Sequence, residues 1–192
     1  MEHATQLLNA YIVTSNGQSL VIVDQHAASE RFYYEKYLAS LENKSVPSKM
    51  LLFPEVMLIE RDESSEIMKF KNAFEALGFD IELFGDDTIK CTKAPEFLRM
   101  DDFPEIFKLL ISELLEYGDT SNILHEIQHT VAASLACHTA VRFGDKLSPV
   151  EVKEIIKNLI HCKNPYNCPH GRPIIQEFSK YDIEKKFKRC GL

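Results

Sequence analysis

Asp24, His26 and Glu30 lie within one short stretch of this chain, and a carboxylate and an imidazole so spaced suit metal binding or proton transfer. His26 and Glu30 are four positions apart, so on a helix they share one face. A neutral imidazole and a carboxylate on one face can hold a divalent cation. Asp24 stands just ahead of that helix, where an acidic side chain caps it or faces an open site. The plainer alternative is an N-cap followed by solvated side chains, and at this level both readings stand.

A second group is Cys168-Pro169-His170-Gly171-Arg172-Pro173. In an extended segment residues two apart point the same way, so Cys168 and His170 could present sulfur and nitrogen to one ion. Pro169 stiffens the segment, Gly171 lets the backbone approach closely, and Arg172 suits a phosphate or a carboxylate. A lone C-x-H is weak evidence for a site, because buried Cys is common packing material.

A third candidate is Cys137, in Leu135-Ala136-Cys137-His138, whose bland reading is a core cysteine. His138 and Arg142 are four apart and could line one helical face. His125 and His129 form another such pair, read as surface because the sequence offers no third ligand. His161 and Cys162 precede the second group and are rival ligands, while Cys91 and Cys190 have no evident companions.

The elements that must position these residues follow from pattern. The chain has 192 residues, 45% of them apolar, enough for one large domain or two small lobes. Its longest apolar runs fall far short of the roughly 20 residues that span a bilayer, and residues 1–10 show no secretory signal. Five cysteines, an odd number, suit a reducing setting better than a disulfide framework. The net charge of −7 argues against a simple DNA-binding module, though not against an enzyme delivered to DNA by a partner.

Leu7 to Thr14 and Leu20 to Val23 read as strands around Asn16-Gly17, a hairpin signal. A helix through Ala27, Phe32, Tyr33, Tyr37, Leu38 and Leu41 follows, then an extended stretch over Val46 to Glu60, with Pro54 marking an edge or a break. Ile67, Phe70, Phe74 and Leu77 predict one helix stopped by Gly78, and Gly85-Asp86-Asp87 predicts a second hairpin between Ile81–Phe84 and Thr88–Thr92. Helices over Phe103–Tyr117, stopped by Gly118, and Ser121–Val141, stopped near Gly144, come next. Ser148 and Glu151 form a capping box with Pro149 at the first position of a helix ending near His161. A short strand at Ile174–Ile175 and a helix over Tyr181–Arg189 close the chain. The order β-β-α-β, α-β-β-α-α, α-β-α predicts an α+β fold whose ends pack together around an inserted middle block.

The motifs together resemble the MutL family of DNA mismatch-repair endonucleases. Asp24 to Glu35 reads DQHAASERFYYE and matches DQHA-x2-E-x4-E; Cys168 to Pro173 reads CPHGRP and matches C-[PN]-H-G-R-P. Ala136-Cys137 with Arg142 is similar to the family's A-C-R segment, with His138 at the usual arginine position, and Phe187-Lys188-Arg189 resembles its closing F-x-R. The motifs come in the family's order and cover nearly the whole chain.

The resemblance implies a dimerisation and endonuclease lobe of small sheet and helices, from residues 1–60 and 136–192, with a regulatory lobe inserted at 61–135. It implies that His26, Glu30, Cys137, Cys168 and His170 gather around divalent metal, zinc in a regulatory or structural role and manganese as activator. Asp24, His26, Glu30 and Arg172 would carry a metal-dependent nicking of DNA. Implied partners are a second copy or a MutL paralogue, double-stranded DNA held weakly, a MutS-family protein through the full-length complex, and no membrane. A sliding-clamp peptide is expected where Lys49-Met50-Leu51-Leu52-Phe53-Pro54 stands, with lysine in place of the usual glutamine. An ATPase domain is expected upstream, and a cytoplasmic setting in a bacterium or archaeon, nuclear in a eukaryote. Two rivals remain at this stage: a non-catalytic, zinc-containing dimerisation module, and a zinc-dependent hydrolase unrelated to DNA.

Overall fold

The computed structural model describes residues 3–43, 46–60, 63–117 and 123–189. Their architecture is α+β, with helices and two small antiparallel sheets. Internal contacts divide the chain into two units, Met1–Glu35 with Thr139–Leu192, and Lys36–His138. The family resemblance implies borders at 60/61 and 135/136; among the residues that fall in the other unit here is the stretch 46–60, whose strand pairs within the second unit.

In the first unit, β1 (Thr5–Leu7), β2 (Tyr11–Ser15), β3 (Ser19–Asp24) and β7 (Ile175–Ser179) lie in the sheet order β1-β2-β3-β7. The strand expected over Leu7 to Thr14 is two strands, because Leu8 and Asn9 adopt φ of 55° and 50° and turn the chain back. Asn16 shapes the next turn by accepting from the N–H of Gln18 and Ser19 at 3.0 and 2.8 Å. Strand β7 runs on to Ser179 beyond the expected Ile174–Ile175. Its Gln176 and Glu177 are exposed, so no apolar alternation announces it.

Period-two alternation puts Ile12 and Thr14 of β2 and Val21 and Val23 of β3 on one buried face. That face packs with Ala27 and Ala28 of α1 (Gln25–Glu42), with Val152, Ile156 and Leu159 of α6 (Pro149–Ile160), and with Cys168 and Ile174. Each large aliphatic so buried contributes about 1.5–3 kcal/mol. Helix α6 starts as its sequence predicts: Glu151 N–H donates to Ser148 Oγ at 3.3 Å, Ser148 N–H donates to Glu151 Oε2 at 2.7 Å, and Pro149 follows the cap. A second capping box, Ser179 with Asp182, opens α7 (Lys180–Lys186) one residue earlier than periodicity suggests.

In the second unit, β4 (Ser48–Leu58), β6 (Thr88–Pro95) and β5 (Asp80–Leu83) form a sheet in the order β4-β6-β5. Strand β4 is an edge, and its register shifts between Met50 and Glu55, around Pro54. The single helix expected through Leu77 is two, α2 (Glu63–Lys69) and α3 (Lys71–Ala76), broken at Phe70. Gly78 ends α3 at φ +88°, where Phe79 N–H donates to Phe74 O at 2.8 Å and the two rings meet at 6.4 Å. A Cβ there would lie 2.6 Å from Ser48 Oγ.

The core of this unit joins Phe74, Phe79, Phe103 and Phe107, with Phe103 and Phe107 on α4 (Phe103–Tyr117) stacked at 5.1 Å. Helix α5 (Ile123–Thr139) buries Ile127, Val131, Leu135 and Ala136. The expected helix stop at Gly118, the start at Ser121 and the thiol of Cys190 lie outside the described residues. Among the described residues no helix is long and apolar enough to cross a membrane.

Candidate metal centre

Helix α1 begins where β3 ends. Asp24 caps it: its Oδ1 accepts from the N–H of Ala27 at 3.0 Å, while its own N–H donates to Ile174 O at 2.9 Å. Two residues later His26 places Nδ1 2.9 Å from Val141 O. A carbonyl only accepts, so Nδ1 carries a hydrogen, and in the neutral imidazole that leaves the lone pair on Nε2. This backbone-anchored tautomer is the usual one for a metal-ligating histidine.

Glu30 stands one further turn along and is 2% exposed. Its Oε1 meets Nδ1 of His170 at 3.1 Å. Glu30, Cys168 and His170 bring ligand atoms within 4.8 Å of one another. Carboxylate, thiol and imidazole are the donor types zinc takes, and a carboxylate this buried needs a partner.

The loop that delivers Cys168 and His170 is a tight hairpin and not the extended segment its sequence suggests. Cys168 N–H donates to Arg172 O at 2.9 Å, Gly171 N–H donates to Cys168 O at 2.9 Å, and Asn167 bridges Pro173. Pro169, His170 and Gly171 thus form a three-residue loop, with Gly171 at φ +81° in the position such loops give to glycine. Burial pushes the Cys168 thiol up, with a lesser contribution from Glu30. The thiol is therefore protonated near neutral pH unless a cation displaces the proton.

Glu35 and Arg31 hold that loop from α1. Glu35 accepts from the N–H of Lys163 at 2.7 Å and of Asn164 at 3.0 Å, and Arg31 Nε donates to Asn167 O at 2.6 Å. The second glutamate of the first motif is thus a loop anchor. The first motif includes Glu35 without giving it a role and leaves out Arg31, and the only local signal for the two together is their i, i+4 spacing.

The remaining candidates fall elsewhere. His26 shares a helical face with Glu30 but is outside the three-residue cluster. Arg172 is exposed and makes no side-chain ion pair among the described residues. Cys137 is exposed on α5 in the second unit. His138 pairs there with Asp102, Nδ1 to Oδ1 at 3.2 Å. It does not share a helical face with Arg142, because α5 ends at Thr139 and Asp145 caps the following turn through Arg142 N–H at 2.7 Å.

The rival ligands are engaged with backbone: His161 Nδ1 with Lys157 O at 2.7 Å, and Cys162 Sγ with Asn158 O at 3.5 Å. Burial, then Glu35, pushes the Cys162 thiol up to about 11. A separate cleft of about 190 Å³, lined by Phe32, Tyr33, Glu154, Ile155 and Asn158 among others, offers carboxylate but neither imidazole nor thiol.

Residues 4–147 match the family described as MutL C terminal dimerisation domain. The chain belongs to that family. It is similar to the DNA mismatch repair protein MutL of Clostridium tetani, 36% identical over 184 residues, covering 96% of this chain and 29% of that protein. The MutL proteins of Clostridium botulinum (strain Langeland) and Clostridium acetobutylicum are 37% and 38% identical, each over 96% of this chain and 27% and 29% of their own lengths. This MutL-family chain thus spans less than a third of the curated relatives it matches. The family match reaches Glu30 and stops before Cys168 and His170, which the three relatives' longer alignments make room for.

Proposed function

We propose that this MutL-family chain is a dimerising, metal-dependent DNA-nicking domain of a mismatch-repair protein. The observation that supports it most is the convergence of Glu30, Cys168 and His170, from two distant stretches of chain, to within 4.8 Å. The donor set fits zinc, and Glu30, Cys168 and His170 would hold it, with Nε2 of His26 as a further ligand the family resemblance names. Asp24, an oxygen donor, suits the harder manganese ion. A bound divalent ion supplies Lewis-acid polarisation of a phosphodiester and a more acidic water.

The chain's own residues supply position. Glu35 and Arg31 keep the loop seated, Val141 orients His26, and the exposed guanidinium of Arg172 reaches for phosphate. DNA is held weakly by the chain alone, since its net charge is −7. Delivery falls to partners: a sliding clamp at Lys49–Pro54, where Met50, Leu52 and Phe53 are 70, 89 and 79% exposed, and a MutS-family protein through the full-length complex. Dimerisation, with a second copy or a MutL paralogue, suits the other face of the first sheet. There Tyr11, Val13, Leu20 and Ile22 form a half-buried apolar surface.

The test is relaxation of supercoiled plasmid by the full-length protein with manganese. Nicking is expected from the natural sequence and is lost in Asp24→Asn; equal nicking by that variant overturns the assigned role. One observation favours a second reading. Asp24 spends Oδ1 on the helix cap, as it would in a non-catalytic dimerisation module whose zinc only shapes the fold. Full zinc loading without any manganese-dependent nicking would establish that module.

A further inference from the structure

His125 and His129, an i, i+4 pair near the start of α5, bring their Nε2 atoms to 3.2 Å from each other, with ring centroids at 4.4 Å. The sequence offered this pair no third ligand, and the fold supplies one. Glu42, the last residue of α1, puts a carboxylate oxygen within 4.8 Å of both imidazoles. The approach is held from beneath: Gln128 Nε2 donates to Leu41 O at 3.0 Å in a buried bond, joining the residues adjacent to His129 and Glu42. Gln128 is 6% and Leu41 0% exposed, so this joint is a built part of the fold.

We propose that Glu42, His125 and His129 form a second divalent transition-metal site, in the second unit and separate from the Glu30–Cys168–His170 cluster. Two imidazole nitrogens select a borderline ion such as Zn2+, Ni2+ or Cu2+ over Mg2+ or Ca2+. Three protein ligands with Glu42 and His125 exposed leave coordination positions for water or an exogenous group. Without an ion, two neutral rings can satisfy the contact only by one Nε2–H donating to the other. An ion occupies the point at which the two nitrogens and the carboxylate meet, and ties the end of α1 to α5.

The site does not depend on the nicking proposal, and the test separates them. Zinc is titrated into the 192-residue chain carrying Cys168→Ser and His170→Ala, against a chromogenic chelator. That chain is expected to retain one Zn2+ equivalent, and adding His125→Ala and His129→Ala to remove it, or weaken it at least tenfold. Cu2+ bound to the first chain should show coupling to two nitrogens in its electron paramagnetic resonance spectrum. The exposed-residue change His125→Gln alone, checked by circular dichroism for an intact fold, should weaken binding in the same direction. Zinc affinity unchanged by the His125 and His129 substitutions, or no equivalent bound by the Cys168→Ser, His170→Ala chain, overturns the site.

Discussion

Nδ1 of His170 lies 3.1 Å from Oε1 of Glu30, and the two side chains differ sharply in exposure, 52% for the imidazole against 3% for the carboxylate. The imidazole therefore acts as a cover over a buried acid. In the metal-free chain His170→Ala takes the imidazole partner from that carboxylate, leaving the Cys168 thiol beside it, and should cost about 1–3 kcal/mol in urea unfolding. Glu30→Gln removes the charge and leaves a neutral amide, whose burial costs less than that of an unpaired carboxylate, so His170→Ala in that background should cost less. Strictly additive costs would show that the pair is not coupled.

Asp24 has a structural duty that can be separated from chemistry. Asparagine caps a helix about as well as aspartate, whereas alanine costs ~1 kcal/mol. Thermal melts should therefore place Asp24→Asn beside the natural chain and Asp24→Ala below it. A cap contribution absent from both melts would contradict the Asp24–Ala27 bond.

Glu35 accepts two backbone N–H groups with a side chain 19% exposed. Glu35→Ala should cost about 1–3 kcal/mol. The sharper readout is hydrogen exchange, in which the amides of Lys163 and Asn164 should lose protection while α6 keeps its own. Unchanged protection at those two amides would show that Glu35 does not anchor the loop.

Burial pushes the thiol of Cys91 up to about 11 from an ordinary 9.0. For a group whose pKa rises on folding, stability is complete below the unfolded value and is lost as pH climbs toward the folded one. Unfolding midpoints should hold steady up to about pH 9 and fall between about 9 and 11, with Cys91 accounting for roughly 2–3 kcal/mol of the loss. Cys91→Ala should flatten that decline. A decline equally steep in the variant would assign it to other groups.

Leu52 and Phe53 are almost fully exposed on the edge strand β4. The double substitution Leu52→Ala, Phe53→Ala should shift stability by less than about 0.5 kcal/mol, as surface changes do. The proposed sliding-clamp binding, read by surface plasmon resonance on the full-length protein, should fall at least tenfold. Full binding by the variant would remove the clamp from this segment.

Much of the local structure was legible. The Ser148–Glu151 box, the Gly78 stop and the hairpin turns rest on bonds between residues a few positions apart, so the local pattern contains both partners. The break at Phe70 was not legible, because the apolar helical spacing runs through it while the backbone turns; at Leu8–Asn9 the one local signal was Asn9, a residue type that tolerates positive φ, inside an otherwise apolar run. Strand β7 was legible only at its start, because beyond Ile175 it is an edge whose Gln176 and Glu177 are exposed and show no apolar alternation.

By itself the sequence determined the family, through DQHA-x2-E-x4-E and CPHGRP, and the residue types available for chemistry. Only the tertiary structure decided which of those residues meet. Glu30 found His170 and Cys168, Glu35 became an anchor for the loop, and Glu42 joined a histidine pair that looked solitary. The reason is physical: helix and turn signals act over a few residues, whereas the approach of α1 to the 163–171 loop and to α5 depends on long-range packing, and no spacing along the chain records it.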